Sequence, residues 1–271
     1  MNAPAGLMAG KRGLVLGVAN DRSLAYGIAR AARQQGAELA CTYQGEAFGR
    51  RAVPLLEELG ATLILSADVE DAKSLDAVFA ELGEKWGTLD FVVHSLAFSD
   101  REELKGRYVD TSRANFLRTL DISCYSFTDI ARRAEPLMKN GGALLTLTFE
   151  GARRVFASYN VMGLAKAALE ASVRYLASDL GKHGIRVNAL SAGPMRTLAG
   201  AGVSDGRYVY NWVQSNAPLR RNPKLEEVGN AGLYLISPLS GGVTGEIHSV
   251  DCGYRVVGMG VVPGKERSVP G

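Results

Sequence analysis

Short apolar runs alternate with longer stretches in which apolar positions recur every three or four residues. Gly13-Leu14-Val15-Leu16-Gly17 is the first short run, and Leu24, Ile28, Ala31 and Ala32 follow it at helical spacing. Leu39–Tyr43 reads as a second strand. The helix after it passes through Val53-Pro54-Leu55-Leu56, and Pro54 is expected to open that helix, where a missing N–H costs nothing. Ala61–Leu65 is the next strand, then a helix over Asp71–Trp86, then a strand over Leu89–His94. Gly142–Thr148 and Ile185–Leu190 read as two more strands, each after a long helical pattern. Runs that are apolar without strict alternation belong to strands covered on both faces. The expectation is therefore an α/β chain: a doubly wound parallel sheet with right-handed crossovers and helices on both faces. No linker, composition shift or repeat marks a second unit, so residues 1–271 are read as a single domain.

Composition narrows the class without naming a function. At 46% hydrophobic and 22% charged, the chain has the balance of a soluble protein with a large core. No window approaches the ~18 consecutive apolar residues of a membrane helix, and the opening six residues lack the basic start and apolar stretch of a secretory signal. A net charge of +3 with no Lys/Arg run argues against nucleic acid. Cys41, Cys124 and Cys252 stand apart in apolar surroundings, as free thiols in a reducing cytoplasm would. His94, His183 and His248 are equally isolated, so no metal site is expected.

In a parallel sheet, ligands bind beyond the carboxyl ends of the strands. The turn after the first strand runs from Gly17 to Gly27 and is not a GxGxxG loop. Gly17 permits close backbone approach to a pyrophosphate, and Ser23 is placed both to cap the following helix and to offer a hydroxyl to phosphate. An ordinary capped helix explains the segment equally well. At the end of the second strand, Gln44 can bond a ribose hydroxyl without charge, and no Arg or Lys directly follows to accept a 2′-phosphate, which favours NADH. Asp68 and Val69 are placed to flank the adenine, and Ser95-Leu96-Ala97 to run past the cofactor.

Tyr159 and Lys166 stand seven positions apart. On a helix that spacing puts them on nearly one face, roughly 10.5 Å apart along the axis. A lysine ammonium near a phenol favours hydrogen-bonded and charged forms, and the phenol can then donate to a substrate oxygen. Tyr-x6-Lys alone is common by chance, and a solvated helix face would account for it. Its position after the fifth strand, and before a strand that ends in Ser191-Ala192-Gly193-Pro194, makes it a candidate site.

Together these segments resemble the short-chain dehydrogenase/reductases, which share a Rossmann-type fold, and more specifically the bacterial enoyl-acyl-carrier-protein reductases. The residues that carry the resemblance are Gly17-x5-Ser23-x-Ala25-Tyr26-Gly27, Thr42-Tyr43-Gln44, His94-Ser95, Asp121-Ile122-Ser123, Tyr159 to Lys166, Ser191 to Leu198, and Gly245 to Asp251. The similarity spans about Gly10 to Met259. It implies NADH-dependent reduction of trans-2-enoyl thioesters on acyl carrier protein in fatty acid biosynthesis, in the cytoplasm, by a homotetramer. It also implies Tyr159 as donor to the thioester oxygen and Lys166 on the nicotinamide ribose. Gly17, Ser23, Leu24, Gln44, Asp68, Val69, Ser95, Lys166 and Met195 become the expected cofactor contacts. Phe149, Tyr159, Met162 and Leu198 become the expected acyl pocket, and residues 197–215 a substrate-covering region. Residues 1–9 are expected to be flexible, and 260–271 a tail.

Three departures from the family pattern stand out. Most bacterial members carry a second tyrosine where this chain has Phe149, which cannot donate a hydrogen bond; the mycobacterial branch is similar in having Phe there. Lining the acyl pocket and plain core packing explain Phe149 equally well. Glu150 has no explanation at this level. Basic residues usual in the covering region are reduced to Arg207, so carrier recognition is weakened or displaced to Arg220 and Arg221. The competing functions are a short-chain dehydrogenase acting on another carbonyl or enoyl substrate, and a weakly active cofactor-binding paralogue with a regulatory role. The former normally carries Tyr-x3-Lys, and here the residue four after Tyr159 is Gly163.

Overall fold

In the computed structural model, residues 6–197 and 206–260 are described. Leu198, expected in the acyl pocket, and most of the covering region's first half lie outside them. Seven parallel strands form one sheet in the order β3-β2-β1-β4-β5-β6-β7. They are β1 (Arg12–Leu16), β2 (Glu38–Tyr43), β3 (Leu63–Ser66), β4 (Phe91–His94), β5 (Gly142–Thr148), β6 (Ile185–Ala192) and β7 (Ile247–Val250). The strand order reverses between β1 and β4, whose carboxyl ends lie side by side with Leu16 paired to His94. This is the crevice in which an open α/β sheet receives a ligand.

Both faces are covered, as the non-alternating strands require. On one face, Leu75, Val78 and Leu82 of α3 (Ala72–Lys85), Phe127 and Ile130 of α5 (Ser126–Ala134), and Leu169 and Val173 of α6 (Asn160–Leu180) pack against the sheet. On the other face lie α1 (Leu24–Gln34), α2 (Gly45–Leu59) and α8 (Leu225–Ile236), which contribute Ile28, Leu56, Val228 and Leu235. Two further helices, α4 (Arg113–Leu120) and α7 (Gly206–Asn216), flank the carboxyl edge.

One expected boundary is wrong. Pro54 does not open α2; it sits inside a helix that begins at Gly45. Gly49, Ala52 and Leu56 bury one helix face on both sides of the proline, and tertiary packing outweighs the one lost backbone bond. The other predicted elements agree with the fold to within about two residues, the margin at which helix and strand ends are defined.

Candidate active site

The turn after β1 meets the end of β4. Gly17 has φ of +97°, and a Cβ there would lie 2.1 Å from the Ser95 carbonyl oxygen. The Ser95 N–H donates to Leu16 O at 3.1 Å, so the two strand ends are fixed together. Only a glycine allows this approach, and it leaves a narrow cradle at the head of α1, where a helix N-terminus favours an anionic group. The residues present thus fit a dinucleotide. Gln44 is exposed at the end of β2, and Met195 packs partly against the core beyond β6. Leu24 opens α1.

One expected role differs in detail. Ser23 holds the N-cap position of α1, but its side chain makes no cap bond; Oγ accepts from the N–H groups of Ala19 and Asn20, both at 3.0 Å. Its hydroxyl shapes the turn after β1 instead of capping the helix. Asp68 uses Oδ1 to accept from Glu70 N–H at 3.0 Å, and Val69 packs against the sheet core.

A π-helical segment, Asp121–Tyr125, interrupts the run from α4 to α5 and brings Ser123 inward. Such bulges commonly mark functional positions. Ser123 Oγ accepts from Phe98 N–H at 3.0 Å and donates to Phe98 O at 3.1 Å, which anchors the segment that leaves β4. Beneath it, His94 is fully buried, with Nδ1 2.8 Å from Thr146 Oγ1 and Nε2 2.9 Å from Ser126 Oγ. Ser126 donates its own proton to Ile122 O, so Nε2–H donates to Ser126 Oγ. Burial, with the Lys166 charge nearby, holds the imidazole down to about 3. His94 is a structural strut.

Tyr159 occupies the N-cap position of α6, not the helix itself, while Lys166 lies two turns in. The tyrosine ring stands edge-on to Phe149 at 5.4 Å, and Phe149 packs in turn at a tilt against Phe156 at 4.8 Å. A Cβ on Gly151 would fall 2.5 Å from the Tyr159 ring, so the ring is seated against bare backbone. Burial, then the charge of Glu170, pushes the phenol well above the ordinary tyrosine range. It is a neutral hydrogen-bond donor at working pH. Lys166 is buried, and its Nζ donates to Leu147 O at 2.9 Å. Burial lowers its pKa to about 8, against the opposing influence of Cys124 and Glu170.

Sequence reading missed Glu170. It stands four residues after Lys166 on the same helix and is buried. It accepts from Thr148 Oγ1 at 3.0 Å and from Arg153 Nε at 3.1 Å. The carboxyl end of β5 is therefore gripped twice by α6, through Leu147 and through Thr148. Glu150 also finds an explanation. It is buried on the turn after β5 and pairs with Arg154 at 3.2 Å, which in turn bonds the carbonyls of Arg255 and Val257. Glu150 thereby ties this turn to the chain beyond β7, and burial raises its pKa.

Of the candidate carrier contacts, Arg207 is exposed on α7. Arg221 is held by Glu227 through two bonds of 2.8 and 2.7 Å, and its charge is spent within the chain. Among the described residues, no group of three or more His, Cys, Asp or Glu stands together, and no helix is long and apolar enough to cross a membrane.

The family model described as enoyl-(acyl carrier protein) reductase matches residues 17–255, which include every element of this site. The chain belongs to that family. Enoyl-[acyl-carrier-protein] reductase [NADH] 1 of Rhizobium meliloti is 59% identical over 269 residues, which cover 99% of each chain. Among solved structures, the enoyl-acyl-carrier-protein reductase of Anaplasma phagocytophilum in complex with NAD has a TM-score of 0.92 at 61% identity, covering 95% of this chain and 98% of that one. The Bacillus cereus family member, solved with NADP+ and an indole naphthyridinone, has a TM-score of 0.92 at 48% identity and covers 94% of this chain and all of that one. The enoyl reductase family thus accounts for nearly the whole length of the chain.

Proposed function

We propose that the chain reduces the carbon–carbon double bond of trans-2-enoyl thioesters on acyl carrier protein, with NADH as reductant, in fatty acid biosynthesis. The observation that carries this reading is the buried Lys166 two turns beyond a half-buried Tyr159, both packed against the carboxyl end of β5 and the turn after it, in a fold shared end to end with enoyl reductases. When bound, the reduced nicotinamide supplies a hydride for the β-carbon. Negative charge then develops on the thioester oxygen, and the Tyr159 hydroxyl, a neutral donor seated against Phe149 and Gly151, stabilises it. A proton from water then reaches the α-carbon as the enolate collapses, and the thioester itself stays intact. Lys166 holds the nicotinamide ribose; Gly17, Ser23, Leu24, Gln44, Asp68, Val69, Ser95 and Met195 complete the cofactor cradle. Phe149 and Met162 line the acyl pocket.

The chain acts as a single catalytic domain in the cytoplasm. Exposed Leu117, Tyr125 and Tyr175, on α4, the π segment and α6, suit burial in a homotetramer. Arg207 and Arg220, both exposed, are the basic residues offered to the acidic carrier.

Product analysis with NADH deuterated at the transferring position tests this reading. The expected product is a saturated thioester with deuterium at the β-carbon. A hydroxyacyl product, or label on a carbonyl carbon, would replace the reading with that of a carbonyl reductase.

A pH effect follows from Glu170. Its charge raises the Lys166 pKa, so Glu170→Gln lowers it further below about 8. The ammonium is present below its pKa and is lost as pH rises through it. The alkaline limb of kcat/KM, which reports the free enzyme, is expected to move to lower pH in the variant, with rates at lower pH little changed. A limb that stays in place would separate Glu170 from the lysine.

A further inference from the structure

Between β4 and α4 the chain crosses in front of the start of α6, and it is tied down at three points. Asn115 Oδ1 accepts from Asp100 N–H at 2.9 Å, above a buried web of Ser99, Asn115 and Thr119. The Glu103 carboxylate accepts from the N–H and hydroxyl of Ser112, at 2.8 and 2.7 Å, where α4 begins. The third tie is Asn160, the residue directly after Tyr159. Its Nδ2 faces the carbonyls of Leu104 at 3.1 Å, Glu103 at 3.3 Å and Gly106 at 3.4 Å.

Several features show that Asn160 is shaped for this task. It is the first residue of α6 and has φ of +39°, a conformation asparagine tolerates better than most side chains. Ser158, on the other side of Tyr159, also has positive φ, at +58°. The tyrosine is thus presented between two left-handed residues. Below the tied backbone, Leu104 is 6% exposed and packs with Val161, Met162 and Ala165, with Tyr159 and Phe116 at the edge of the same cluster. The polar grip of Asn160 and the apolar contact of Tyr159 join the same loop to the start of α6.

We propose that Asn160 is a positioning residue: its side-chain amide holds loop 103–106 in place, and so keeps Leu104 as a fixed wall of the acyl pocket beside Tyr159 and Met162. This inference rests on Tyr159 as the donor to substrate. It assigns Asn160 no contact with substrate or cofactor; its effect passes through the loop.

Two substitutions separate the amide from the backbone. Asn160→Gly keeps easy access to positive φ and removes the amide. Asn160→Asp keeps the shape and sets acceptors, in place of donors, against three carbonyls. Both are expected to raise KM for an enoyl thioester about tenfold, the scale of one lost hydrogen-bonding group, with the aspartate worse, kcat reduced less than KM, and NADH affinity unchanged. Hydrogen exchange is expected to quicken at 103–106 and not along the rest of α6. Wild-type KM and exchange in Asn160→Gly would overturn the proposal, as would faster exchange throughout the chain, which marks a purely structural role. Tyr159→Phe runs beside them: if it keeps full turnover, the tyrosine reading falls with the role of Asn160 in catalysis, whereas the exchange at 103–106 reports the tie independently of activity.

Discussion

Tyr159→Phe is expected to lower kcat by about 10²- to 10³-fold, the range for loss of one donor to a developing oxyanion. The variant should keep its melting temperature and its affinity for NADH. The ring contacts that seat Tyr159 are edge-on packing with Phe149 and contact with Gly151, and phenylalanine preserves both. Only the hydroxyl is lost. Phe149, which stands against the ring, cannot take over as donor. The loss here should therefore be undiluted. Steady-state rates with an enoyl thioester, beside a cofactor titration, check the prediction, and a kcat within about threefold of wild type would remove Tyr159 from the chemistry.

Gly17→Ala is expected to weaken NADH binding by at least about a hundredfold, or ~3 kcal/mol. Two causes act together. At φ of +97° an alanine is strained, at a cost of about 1–2 kcal/mol. Its Cβ would also fall 2.1 Å from the carbonyl oxygen of Ser95, a residue whose N–H donates to Leu16 O, so β1 and β4 would have to part at their carboxyl ends. The strand ends that would part are those that form the cradle. A cofactor titration by fluorescence, with melting curves taken with and without NADH, reads both effects. Wild-type affinity in the variant would mean the dinucleotide lies elsewhere.

The sheet was legible because its central strands are buried on both faces, which leaves short continuous apolar runs such as Leu14–Leu16 and Phe91–Val93 in the sequence. The helix through Pro54 was misplaced because its start depends on the buried face of Gly49, Ala52 and Leu56, not on a local signal. The spacing of Tyr159 and Lys166 made them candidates, and the structure puts the tyrosine just before the helix and the lysine within it. What stayed hidden was the set of supports around them. Asn160 finds its partners more than fifty residues away, at Glu103 and Leu104, and Glu170 finds Thr148 on a neighbouring strand. Such long-range polar ties leave no period in the chain. Glu170 alone had a local hint, four residues from a lysine on one helix face. Ser23 looked like a cap because residue type favours it, yet its hydroxyl accepts from the turn before it.

The measurement that bears most directly on this account is the initial rate at which the wild-type protein oxidises NADH in the presence of a trans-2-enoyl thioester, followed by nicotinamide absorbance. The account predicts saturable, NADH-dependent oxidation that requires the enoyl double bond and proceeds faster than with NADPH. NADH that binds tightly but is not consumed with any enoyl chain length would contradict it and leave a cofactor-binding protein without this activity.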